Sequence, residues 1–249
     1  MNAHHNRIWD RAVLDQGYVR LIESWGGGDY TNSEYCSNET EEDKEAGIIE
    51  AARQSTQGSF RGWEQDEKLL KHLYTNKHMT PFEFAGMVIE VQAPIFVFRE
   101  WHRHRTQSYN EMSARYAPLP DLNYLPTIDR IMLNPGRNTQ AKGINDALTM
   151  NNARDFRVAL QVSYDEAEKR YQESLSLGIP KELARCFLPV GRYSKMRASA
   201  NLRNWLQFLT LRMDPNAQWE IQQYARAVAG IVEYTFPKVY KLFTSERSL

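Results

Sequence analysis

Cysteine is nearly missing from these 249 residues: Cys36 and Cys186 are the only two, far apart and in no metal or redox spacing. That argues against a disulfide scaffold and a cysteine-built zinc site, and it points to a reduced, cytoplasmic setting. An excess of one charge is missing too. The 31 basic and 31 acidic residues cancel, so no global field steers the chain toward nucleic acid or a membrane surface. No apolar run approaches the roughly 20 residues of a membrane span. The opening MNAHHNRIWDRAV lacks the apolar stretch of a signal peptide. Gly26, Gly27 and Gly28 follow one another, but no Gly-Lys-Ser or Gly-Lys-Thr comes after them, so a flexible turn is expected rather than a phosphate loop. No G-x-G-x-x-G joins a strand to a helix, and Ser113 stands in no G-x-S-x-G elbow. His102 and His104 lack a carboxylate or cysteine to complete a close set, so no metal is expected.

What is present reads as helices with a few strands. YVRLIES alternates in apolar character as a strand does, and MVIEVQA alternates as a half-buried one. IIEAARQS, after the acidic SNETEEDKEAG, reads as a helix. EQDEKLLKHLYTN reads as another, burying Leu69, Leu70 and Leu73 and stopped by Pro81. Pro94 pre-sets a helix start, and Ile95, Phe98 and Trp101 recur at helical spacing. That spacing predicts Arg99 to Arg103 on the last turns of a short helix, with His104 and Arg105 at its exit. Residues 117–150, rich in Pro, Asn and Gly, read as loop without a domain boundary.

Further on, Arg154 to about Leu177 predicts a long helix closed by Gly178. PKELARCFLP predicts a short one in which Glu182 and Arg185, three apart, form an ion pair. ANLRNWLQFLTLRM predicts a helix burying Leu202, Trp205, Leu206 and Leu209. Asp214 and Pro215 are expected to open a further helix that ends before Pro237. Helices dominate the second half, and strands concentrate in the first.

The stretch WHRHRTQSYNEMSARY, residues 101–116, gathers Arg103, His104, Arg105, Asn110, Glu111, Ser113 and Arg115. Guanidinium forks and an imidazole match phosphate and the polar edge of a heterocycle. Arg-His-Arg alone fits a salt-bridged helix end, whereas the whole string favours a binding site. Asn201, Arg203, Gln207 and Arg212 likewise punctuate a largely apolar helix, where an arginine often just snorkels. A noncatalytic nucleotide- or RNA-binding patch is the alternative to an enzyme site.

Arg103-His104-Arg105 followed after seven residues by Ser113, within RHRTQSYNEMSARY, resembles the signature of the flavin-dependent thymidylate synthases. KHMTPFEF, APIFVFREW, GIPKELARCFLP, NLRNWLQFLTLR and DPNAQWEIQQYA resemble that family in order and spacing, from about residue 48 to 235. Residues near 25–47 and 129–152 read as extra or divergent loop. The resemblance implies one catalytic domain over 1–249 with an α+β, thymidylate synthase-complementing protein fold: a mainly antiparallel sheet packed by helices. It further implies a homotetramer with active sites at subunit interfaces. The implied reaction moves a methylene unit from methylenetetrahydrofolate to carbon 5 of dUMP, and FAD reduced by NADPH supplies the hydride that yields dTMP. No metal, membrane or nucleic acid polymer is implied.

Carried over position by position, His78, Thr80, Arg103, His104, Arg105, Glu111, Asn201, Arg203 and Gln207 would contact FAD. Glu100, Trp101, His102, Arg103, Glu111, Met112, Ser113, Ala114, Arg115, Arg185 and Arg212 would form the dUMP side. Arg212, always protonated, would stabilise negative charge on the uracil and make carbon 5 nucleophilic without covalent attachment. Ser113 would position or polarise dUMP rather than attack it. Two positions depart from the pattern: Gln207 stands where relatives often have His or Asn, and Glu100 where a relative can have Gln.

Overall fold

The computed structural model describes residues 10–27, 43–56, 58–133 and 148–247. Gly28, Cys36, the acidic run through Glu42 and much of the divergent 25–47 and 129–152 stretches lie outside the described residues. Alternating side chains build five strands: β1 (Asp10–Val13), β2 (Gly17–Trp25), β3 (Gly86–Pro94), β4 (Ser108–Glu111) and β5 (Tyr193–Asn201). All pair antiparallel, in the order β1-β2-β3-β5-β4. Met87, Ile89 and Val91 on β3 are fully buried while Val88 and Glu90 between them are half-buried, the expected one-sided pattern, but Gln92 beyond them is buried as well. Burying such a side chain contributes roughly 1.5–3 kcal/mol.

Helices supply the other layer: α1 (Ala46–Arg53), α2 (Trp63–Thr75), α3 (Ile95–Trp101), α4 (Ile128–Met132), α5 (Met150–Ser176), α6 (Lys181–Ala184), α7 (Leu202–Arg212), α8 (Trp219–Thr235) and α9 (Pro237–Arg247). α7 and α8 pack on the sheet and on each other, and Trp205 of α7 donates its indole N–H to the carbonyl of Met87 at 3.1 Å. Leu202, Trp205, Leu206 and Leu209 are buried as the spacing predicts. None of the described helices is long and apolar enough to cross a membrane.

Several boundaries differ from the expectation for physical reasons. β5 falls in the second half and lies between β3 and β4, with Gly86 opposite Asn201 and Pro94 opposite Tyr193. Its segment YSKMRASAN does alternate, but Ser and Ala are too short to announce a core strand. α2 ends at Thr75, and the chain turns at Lys77 (φ +58°), before Pro81, which sits inside a 3-10 turn at Thr80–Phe84. Leu69 is half-buried where full burial was expected. α3 stops at Trp101, so His102 and Arg103 lie in the following turn. α5 starts at Met150, because Thr149 and Asn152 form a capping box there. α8 starts at Trp219 rather than Pro215: the Asp214 carboxylate accepts from the backbone N–H of Asn216 at 2.8 Å and caps a turn.

Candidate active site

The candidate residues fall into three groups, carried by the end of α3 and of α7, by β4 and α6, and by the turn after α2 together with the start of α7. The first begins at the end of α3. Trp101 is fully buried, stacked on Phe208 with ring centroids 4.6 Å apart, and its indole N–H donates to Gln107 at 3.1 Å. This anchors the turn that carries Arg103, His104 and Arg105. His102 lies half-buried between Phe98 and Tyr109, and its Nε2 is 3.2 Å from the sulfur of Met196. His104 is buried, and its Nε2 accepts from Nε of Arg212 at 2.8 Å. Burial, and then the charge of Arg212, holds the His104 imidazole down to a pKa of about 4. Arg212, the last residue of α7, also donates from Nη1 to the Glu100 carboxylate and from Nη2 to the Glu100 carbonyl, each at 2.8 Å. Arg103 and Arg105 are exposed and form no ion pair among the described residues.

The second group surrounds a cavity of about 330 Å³ lined by Ile95, Glu111, Met112, Ser113, Ala114, Leu119, Arg185 and Leu188. β4 delivers Glu111 to its rim, and the backbone N–H of Met112 continues the pairing to the carbonyl of Lys195 at 2.8 Å. The Ser113 hydroxyl oxygen accepts from the backbone N–H of Arg115 at 3.3 Å. Arg115 pairs with Glu182 at 3.2 Å, which corrects the expected Glu182–Arg185 ion pair. The reason is local: α6 is a single turn and gives way to a 3-10 turn at Arg185, so the two side chains do not stack as on a regular helix. Arg185 instead donates through Nε to the Glu182 carbonyl at 3.2 Å and faces the cavity.

The third group is more open. His78 follows α2, edge-on to His72, and Thr80 is exposed at the start of its 3-10 turn. Asn201 caps α7, its side-chain oxygen accepting from the N–H of Asn204 at 3.0 Å. Arg203 and Gln207 are exposed one turn apart on α7. Arg203 pairs with Glu83, a residue that sequence reasoning missed although it stands in the singled-out segment KHMTPFEF. Asn204 reaches the carbonyl of Thr106 at 3.4 Å, which links α7 to the Arg103–Arg105 turn.

A larger cavity, about 560 Å³, opens between β1, Tyr124 and α8 and holds none of the sequence-predicted site residues. Glu111, Met112, Ser113, Ala114 and Arg185, all among the sequence-predicted residues, line the smaller one. Among the described residues no group of three or more His, Cys, Asp and Glu side chains is placed to hold a metal ion.

Residues 37–238 match the family profile described as thymidylate synthase complementing protein. A flavin-dependent thymidylate synthase from Thermosipho africanus is 35% identical over 232 residues, covering 93% of this chain and 92% of the relative. Another from Thermus thermophilus is 36% identical over 231 residues, covering 93% and 77%. Among solved structures, the UMP/dUMP methylase PolB from Streptomyces cacaoi bound with 5-Br dUMP superposes with a TM-score of 0.76 at 29% identity, over 92% of this chain and 95% of that one.

Proposed function

The chain belongs to the thymidylate synthase complementing protein family and is similar to flavin-dependent thymidylate synthases along most of its length; on that premise we propose that it reductively methylates dUMP to dTMP. In this reading methylenetetrahydrofolate is the carbon donor and NADPH reduces the FAD. The observation that carries the substrate side is the shared cavity: Glu111, Met112, Ser113 and Ala114 line it together with Arg185, far away in sequence.

Each group has a physical role. The Arg185 guanidinium offers parallel N–H donors to a phosphate, a charge-assisted and geometrically selective contact. Ser113 positions the nucleotide through its hydroxyl, and Glu111 accepts from a ribose or base donor. The Arg212 guanidinium stabilises negative charge as it develops on the uracil ring, so carbon 5 becomes nucleophilic without a covalent bond to the protein.

The donor set suits FAD. Arg103, Arg105 and Gln207 are exposed and carry no ion pair among the described residues, and guanidinium and amide donors fit a diphosphate. His78 and Thr80 share an exposed turn, and Asn201 and Arg203 stand at the start of α7 beside it. When bound, the reduced flavin supplies the hydride. Donors displayed on the surface of one chain fit a cofactor gripped between chains, which supports a homotetramer with sites at its interfaces. The reading treats the chain as one catalytic domain in a cytoplasmic setting, supported by its two scattered cysteines.

The test uses purified protein with FAD, NADPH and methylenetetrahydrofolate. NADPH oxidation that requires dUMP, with dTMP as product, is the expected result. A protein that stays colourless after incubation with FAD, or that forms no dTMP, overturns the reading.

A further inference from the structure

We propose that Glu100 is a positioning residue: it acts by holding Arg212, not by its own contact with the nucleotide. The inference rests on the reading of Arg212 as the cation that faces the uracil.

The geometry restrains all three guanidinium nitrogens. Nε donates to Nε2 of His104, Nη1 to the Glu100 carboxylate, and Nη2 to the Glu100 carbonyl, each at 2.8 Å. Two N–H bonds, one on each terminal nitrogen, remain uncommitted. A planar group held at three points has its plane and rotation fixed, and with them the directions of those two bonds, which is what stabilising a developing charge at a defined position demands. α3 supplies both Glu100 contacts and α7 supplies Arg212, so the clamp also ties the two helices that flank the site.

Charge points the same way. A carboxylate only accepts hydrogen bonds, and most polar atoms of dUMP (phosphate, ring carbonyls) are acceptors too. Direct contact would set acceptor against acceptor over most of the nucleotide. Against Arg212 the same carboxylate is well matched, with one oxygen already engaged. The Arg212 side chain is 15% exposed and that of Glu100 40%, so the arginine is the more buried partner of the pair. A glutamine amide oxygen accepts the same hydrogen bond without the charge, so Glu100→Gln preserves the clamp while Glu100→Ala removes its side-chain half.

The experiment compares Glu100→Ala and Glu100→Gln in wild-type and Arg212→Ala backgrounds. It measures dTMP formation under steady-state and single-turnover conditions, and dUMP affinity from the perturbed flavin spectrum. The clamp predicts that Glu100→Ala lowers kcat about tenfold or more, with the KM and Kd for dUMP within about threefold. Glu100→Gln should return kcat to within about threefold of wild type. In the Arg212→Ala background, Glu100→Ala should add less than about twofold, because two residues acting through one interaction are not additive. Any of three results overturns the proposal: unchanged kcat in Glu100→Ala, a tenfold weaker dUMP affinity at constant kcat, or independent multiplication of the two effects. A wild-type protein without dUMP-dependent turnover overturns the parent reading and this one with it; normal wild-type turnover with any of those three results overturns this one alone.

Discussion

Arg212 donates through Nε to Nε2 of His104 across 2.8 Å. A guanidinium has no acceptor, so this imidazole nitrogen carries a lone pair and the ring is neutral, with its proton on Nδ1. The pKa, held down to about 4 by burial and then by the Arg212 charge, agrees with that assignment. In the unfolded chain the ring titrates near its ordinary 6.5, so between the two values the unfolded state binds more protons. The contribution of His104 to stability is therefore complete above about pH 6.5 and is lost as pH falls toward 4. Urea unfolding of wild type and His104→Gln at pH 7.5, 6 and 5 should show the wild type losing more stability on acidification. Parallel curves would exclude a neutral buried His104.

Arg212→Lys tests whether charge alone suffices at this position. A lysine ammonium is a point charge and cannot reproduce contacts made from three nitrogens of one plane. The expected outcome is a fall in kcat of about 10²-fold or more, close to that of Arg212→Ala. Near-normal turnover in Arg212→Lys would show that the orientation of the guanidinium is dispensable.

The cavity shared by Ser113 and Arg185 makes a different kinetic prediction. Removing a phosphate contact takes away binding that ground and transition states share, so Arg185→Ala should raise the KM for dUMP by about tenfold or more with a small effect on kcat. The rise should shrink for deoxyuridine, which lacks the phosphate. An equal loss with both substrates would place the phosphate elsewhere.

Glu45 offers a pH effect of opposite sign. It is almost wholly buried and accepts from the backbone N–H groups of Lys238 and Val239, at 3.1 and 2.6 Å, where α9 begins. Burial raises its pKa to about 7 even though those two N–H groups pull it down. A folded pKa above the ordinary 4.5 means that the stabilising form is the protonated one. Its contribution is complete below about pH 4.5 and is lost as pH rises through 7. Glu45→Gln cannot ionise, so its melting temperature relative to wild type should climb between pH 5 and pH 8. A constant difference over that range would contradict the assignment.

Much of this protein follows from its sequence alone. The two-residue alternation of YVRLIES and MVIEVQA determines strands, and the apolar stripe of ANLRNWLQFLTLRM determines a helix, because each pattern has one geometry that buries it. Arg103-His104-Arg105 with Ser113 marked a candidate site because their spacing resembles a family signature and such a density of donors is unusual for a helix end. Tertiary structure decided the rest. β5 becomes an interior strand only because β3 and β4 satisfy its backbone on both sides, and four residues, Asp10–Val13, become a strand only by pairing with β2. Trp101, grouped in sequence with the polar cluster, goes into the core beside Phe208, since burying its ring outweighs the preference of its neighbours for water. The partners of Arg212 were equally invisible in one dimension: hydrogen bonding and ion pairing act over about 3 Å, and only the folded chain brings Glu100 and His104 to Arg212, or Ser113 and Arg185 to one cavity.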